Sequence, residues 1–150
     1  MKIKHFITLI ALLAAHSASA VPLLEKDTIS GFISPAYAIN KTCVIHRAGT
    51  MVNSYNLGGL ASQRSTVLKL SLAKIVTMIN NAALGFLTPG QPTAADQGGV
   101  EYYAYQPQAG GSLKKIVLWQ IGGGTPQLNN SAEALTLRNF IDLNCGDPLL

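Results

Sequence analysis

Few residues of this chain have side chains that do chemistry, and their spacing limits what they can do together. If the first twenty residues are removed, His46 is the one histidine left. A Ser-His-Asp hydrolase would have to use it, and no Gly-x-Ser-x-Gly elbow accompanies it. Cys43 and Cys145 are the only cysteines. Thiolate catalysis would need one of them unpaired beside His46, but Cys43 and His46 are three apart and fall on opposite faces of a strand. A metal pair would need further ligands, and none cluster nearby. Asp96 and Glu101 are the nearest pair of carboxylates for glycoside hydrolysis, and no pattern brings them to a cleft. Gly122-Gly123-Gly124-Thr125 lacks the Gly-Lys-Ser/Thr ending of a phosphate loop and runs into Pro126 instead of a helix. The inventory points away from an enzyme and implies no metal and no cofactor.

The aromatic residues suggest recognition instead. Tyr102, Tyr103, Tyr105 and Trp119 lie in two apolar runs. On a strand, Tyr103 and Tyr105 share a face with Glu101, and aromatic rings give large contact area at small entropic cost. Tyr103, Tyr105 and Trp119 are therefore the candidate binding residues, although paired aromatic strands also serve as ordinary core.

The elements that must position these residues begin after an export signal. Lys2 and Lys4 precede the uncharged run Phe6 to Ala15, and Ala18-Ser19-Ala20 is a small-residue cleavage site, so residues 1–20 read as a signal peptide. The apolar run is too short for a membrane span, and none is expected after cleavage. An exported chain meets oxidising conditions, so Cys43 and Cys145 are expected to form one disulfide, with the protein periplasmic or extracellular.

The whole chain of 150 residues carries 11 basic and 7 acidic side chains. Loss of Lys2 and Lys4 leaves nine basic against seven acidic, a formal charge of +2 instead of +4. Only Lys114-Lys115 are adjacent, too diffuse a charge for phosphate backbones, so nucleic acid is not an expected partner. An apolar fraction of 48% supports a folded core, and the length supports a single domain.

Residues 21–41 lack a sustained period and read as an extended or flexible arm, with the organised domain over 42–150. Thr42–Arg47 and Thr50–Tyr55 form a hairpin across Ala48-Gly49, with Ile45 facing Val52. Ser62 to Leu84 carries Leu68, Leu72, Ile75, Val76, Ile79, Ala82 and Ala83 on one stripe, which predicts a helix. Val100–Gln106 and Leu113–Ile121 form a second hairpin across Gln108–Ser112. Asn130 as N-cap, with Glu133 three residues on, opens a second helix ending at Cys145-Gly146. The expected fold is α+β: two hairpins and two helices in ββαββα order, a mostly antiparallel sheet packed on helices. The function that fits is an exported non-enzymatic protein-binding module, an inhibitor or envelope interaction protein, whose partner is another protein or a surface glycan. The alternatives are a small secreted hydrolase using His46 and a structural or assembly component of the cell envelope.

Overall fold

The computed structural model describes residues 21–31, 38–92, 98–122 and 125–146. The segment read as a signal peptide lies outside them. The described chain is a small α+β domain of eight strands in one antiparallel sheet, two helices and one disulfide. The strands are β1 (Pro22–Ile29), β2 (Ile39–His46), β3 (Thr50–Leu57), β4 (Leu60–Val67), β5 (Leu87–Pro89), β6 (Gly99–Pro107), β7 (Leu113–Ile121) and β8 (Gln127–Asn129). Helix α1 is Leu72–Ala82 and helix α2 is Ala132–Asn144. Across the sheet the order is β4-β3-β2-β1-β6-β7-β8-β5.

Four strands, β1, β4, β5 and β8, are additional to the expected ββαββα order. The stretch expected as an arm supplies β1, a central strand paired to β2 on one side and β6 on the other. Leu23 and Leu24 are both fully buried there, because the register slips between Pro22 and Leu24 and turns successive side chains inward. The expected long helix begins only at Leu72, and Leu60–Val67 is instead strand β4. Its hairpin with β3 closes through Gly58 and Gly59 at φ 55° and 89°. Two consecutive positive φ values make the two-residue turn whose twist matches paired strands, and glycine adopts both without strain.

The β2–β3 hairpin is also one residue out of the expected register. Ile45 pairs with Met51 and Val44 with Val52, because the loop has three residues and Gly49, at φ 84°, takes its last position. Gly49 N–H donates to the His46 carbonyl, and a Cβ at Gly49 would sit 2.7 Å from the Leu68 carbonyl oxygen. The β6–β7 hairpin across Gln108–Ser112 forms as expected.

Both helices cover one face of the sheet, called here the helix face, with α1 against β6 and β7 and α2 against β7 and β1. The core between the layers contains Leu24, Ile45, Ile75, Ile79, Leu118, Leu137 and Ile141. Ile75, Ile79 and Ala82 are the buried positions of α1, while Leu72 and Val76 pack at its margin. The N-cap of α2 is Ser131, one residue beyond the expected Asn130, and its hydroxyl accepts from Ala134 N–H. Asn130 instead pairs with Phe86: the Phe86 N–H donates to its side chain and its own N–H donates to the Phe86 carbonyl. The Cys43–Cys145 disulfide ties β2 to the C-terminal end of α2 across 102 residues, with both cysteines buried in the core. No helix among the described residues is long and apolar enough to cross a membrane.

Candidate functional site

Strand alternation divides the candidate residues between the two faces of the sheet. Lys26 and Tyr102 point to the helix face, where the Lys26 ammonium lies 2.6 Å from Asp142 Oδ1 and the Tyr102 hydroxyl donates to the same oxygen at 2.7 Å. Glu25, Asp27, Glu101, Tyr103, Tyr105 and Lys115 therefore share the opposite, open face. Tyr103 and Tyr105 do stand on one side with Glu101, as their spacing implies. Trp119 does not join them. It stacks on Tyr102 on the helix face, ring centroids 5.6 Å apart, and the Arg138 guanidinium lies 4.4 Å from its centroid. A register slip between Tyr102 and Tyr103, which leaves Leu118 as an extra residue on β7, separates the two aromatic groups further.

On the open face the tyrosine hydroxyls are engaged. Tyr103 donates to Glu101 Oε2 at 2.6 Å, and Tyr105 donates to Glu25 Oε2 at 2.7 Å. Lys115 closes the network, with its ammonium 3.1 Å from Glu25 Oε1 and 3.5 Å from the centre of the Tyr103 ring. Gln120 donates to the other oxygen of Glu101. Tyr103 is thereby only 8% exposed, and its ring is a support for the polar groups around it. Burial, together with the carboxylates that accept their hydroxyls, pushes both phenols well above the usual tyrosine value, so both remain donors.

Two carboxylates of this face are driven in opposite directions. Burial works against the charged form of Glu25, but bonds from Tyr105 and Lys115 and the charge of Lys115 outweigh it and hold the group below the ordinary carboxylate value. Asp27 is raised, first by burial and then by the charge of Glu25, against a lowering bond from Thr42. Glu101 lies directly across from Asp27 in the ladder. Carboxylates of opposed tendency can mark acid-base sites, yet here each is explained by a structural partner.

The other candidates are dispersed. His46 closes β2, and its Nδ1 is buried without a hydrogen-bond partner among the described residues. Both cysteines are in the bridge. Asp96 lies outside the described residues, as do Gly123 and Gly124. No group of three or more His, Cys, Asp and Glu residues among the described residues is placed to hold a metal ion.

Sequence reasoning missed three features. Asn129 is a buried hub: its amide donates to the carbonyls of Ala82 and Val117, and its oxygen accepts from the backbone and hydroxyl of Ser131. It lies in an Asn-Asn-Ser triplet that reads as a surface motif, and only the turn chemistry around it hints otherwise. The second feature is β4, the outermost strand beside β3, exposed along all eight residues. The Gly58-Gly59 pair was the signal for it. The third is a cavity of about 480 Å³ on the helix face, bordered by residues of β1, β2, β3, β4 and β6 and by the disulfide. Compared with known proteins, the chain matches no family model, no curated protein and no solved structure.

Proposed function

We propose that this protein is an exported, non-enzymatic protein-binding module that receives an extended segment of its partner along β4. The observation that carries the reading is the state of that strand. Leu60-Ala-Ser-Gln-Arg-Ser-Thr-Val67 pairs with β3 without a break from Leu57↔Leu60 to Thr50↔Val67, and its outer edge has no neighbouring strand among the described residues. Proteins guard such edges with proline, lysine, bulges, short strands or a covering layer, because an open ladder templates further pairing. β4 has one charge, Arg64, no proline and no bulge, and the helices pack elsewhere. A strand left open in this way suits strand addition, in which main-chain hydrogen bonds supply affinity and alternate side chains supply specificity.

A second reading puts the contact on the open face at Tyr103 and Tyr105. Its support is the rigid network of Glu25, Glu101, Lys115 and the two phenols, which presents fixed polar groups without further ordering cost.

Capture experiments on native envelope or culture fluid separate the two. Successive residues of an edge strand aim their N–H groups alternately at the neighbour and at solvent. Of Ser62→Pro and Gln63→Pro, one therefore removes an outward donor and leaves the β3 ladder whole. That folded variant is expected to lose a partner that the wild-type protein and a Tyr103→Phe, Tyr105→Phe variant retain. Retention by both folded proline variants, or no specific partner for the wild-type protein, rejects the edge reading.

A further inference from the structure

The backbone of β4 restricts what can pair with it. Gly58-Gly59 is a two-residue turn, so Leu57 and Leu60 face each other as a hydrogen-bonded pair. Alternation then directs the N–H and C=O groups of the even-numbered residues of β4 to β3, and those of Ala61, Gln63, Ser65 and Val67 to solvent. The other end of the hairpin agrees, because Leu68 N–H donates to the Gly49 carbonyl. An antiparallel newcomer must therefore place its own outward-directed residues opposite these four.

A second β4 meets that condition in two registers that keep nearly the whole strand paired. One puts the two-fold axis at Arg64, the single charge of the strand, and sets two guanidinium side chains directly opposite each other at a Cα spacing of about 4.5 Å, where like charges destabilise. The other puts the axis at Gln63. Arg64 then lies opposite Ser62 of the second copy, and the two arginines become diagonal neighbours about 7–8 Å apart. The Gln63 side chains meet on the axis, where each amide offers a donor and an acceptor to the other. Ala61 faces Ser65, and Leu60 faces the methyl of Thr66. In this one register the strand is its own complement. We propose that β4 binds a second copy of this chain, antiparallel about Gln63, and joins two eight-stranded sheets into one. That identity rests on β4 being the docking edge. Nothing in the helix layer obstructs the junction, because α1 and α2 pack on β1, β6 and β7, and β2 and β3 lie between. The contact is isologous and uses up both β4 edges. Growth stops there, because β5 at the far edge is three residues long and ends in Pro89, two guards that β4 lacks. One strand pair is a small interface, under about 1,200 Å², so a dissociation constant on the order of 10–100 μM is expected.

The test is sedimentation equilibrium of the oxidised protein from about 1 μM to about 1 mM, which brackets that range. The wild-type protein should pass reversibly from monomer to dimer and no further. Gln63→Lys and Gln63→Glu change an exposed side chain and spare the β3 ladder, so both should unfold in urea like the wild type. Each alone faces its own charge across the axis and should associate at least about fivefold more weakly. An equal mixture sets lysine opposite glutamate and should dimerise at least as tightly as the wild type. Gln63→Pro removes the central donor from each copy and should stay monomeric. A wild-type protein that remains monomeric to about 1 mM overturns the proposal. So does a dimer equally stable in both charge variants, or a mixture that associates no more tightly than its components. After any of these failures, the docking edge itself still stands if the wild-type protein captures a different protein that folded Gln63→Pro loses. If that capture survives the proline, the edge falls as well.

Discussion

Replacing both cysteines by serine tests how the two layers are held together. The bridge spans 102 residues and joins β2 to the end of α2, whereas the helices otherwise pack on β1, β6 and β7. In the chain-entropy model, closing a loop of this length removes unfolded-state freedom worth about 4.7 kcal/mol at 25 °C. The native state adds little to that difference. Serine is close in size to cysteine, although burying two hydroxyls at sites only 5% and 8% exposed costs somewhat more. A domain of this size is stable by about 5–15 kcal/mol, so the loss takes a large share. The assay is urea unfolding of the oxidised protein and of the Cys43→Ser, Cys145→Ser variant. With a slope of about 2 kcal/mol per molar, the midpoint should fall by roughly 2 M. Hydrogen exchange on the variant should rise first in β2, β3 and β4, the strands whose covalent tie to the helix layer is gone. A loss under about 1 kcal/mol, or exchange rising evenly across the molecule, would refute the view that the bridge anchors this half of the sheet.

Other positions give sharper local expectations. Asn129→Ala should cost about 2–4 kcal/mol in urea unfolding, because it leaves the Val117 carbonyl and the Ser131 N–H without partners and removes one of the two donors to the Ala82 carbonyl, the other being Gly85 N–H. Gly85→Ala should approach that loss, since a Cβ there would clash with the Asn129 side-chain oxygen. Ile75→Ala, at a buried core position, should cost about 2–5 kcal/mol, Leu72→Ala less, and Lys74→Ala almost nothing. Asp27→Asn should stabilise the protein near neutral pH. The folded state holds the Asp27 proton more tightly than the unfolded chain, so ionising that group costs stability as pH rises through its folded value. The gain should vanish below the ordinary aspartate value of 3.8, where the group is protonated in both states. Glu25→Gln should behave oppositely, destabilising at neutral pH with an effect that fades as acid protonates the wild-type carboxylate. Thermal unfolding across a pH series reads both.

Local patterns in the sequence carried some elements and hid others. The β6–β7 hairpin was readable because two β-rich runs flank a glycine-containing loop of the right length, and the Cys43–Cys145 pairing followed from there being two cysteines and an inferred export signal. β1 was hidden because its polar residues are satisfied on both faces. Lys26 pairs with Asp142 on one side and Glu25 with Tyr105 and Lys115 on the other, so no apolar alternation marks it as central. β4 was read as helix because Leu68, Leu72 and Ile75 continue a helical period that can be extended backward, while Gly58-Gly59 looked like a break instead of a hairpin turn. In the candidate site, strand alternation correctly grouped Tyr103, Tyr105 and Glu101. It could not reveal that their hydroxyls are engaged within the fold, nor that Trp119 faces the other way, because both depend on partners distant in the chain. The cavity beside the disulfide draws on β1, β2, β3, β4, β6 and the end of α2, and no local pattern announces such a convergence.

The central claim, that a partner adds to the sheet at β4, is tested most directly by hydrogen exchange on the wild-type protein, free and bound to the partner it captures. The account predicts slowed exchange at the outward-facing amides of residues 60–67, with residues 101–105 unchanged. Slowed exchange at 101–105 while 60–67 exchange as freely as in the unbound protein would contradict it.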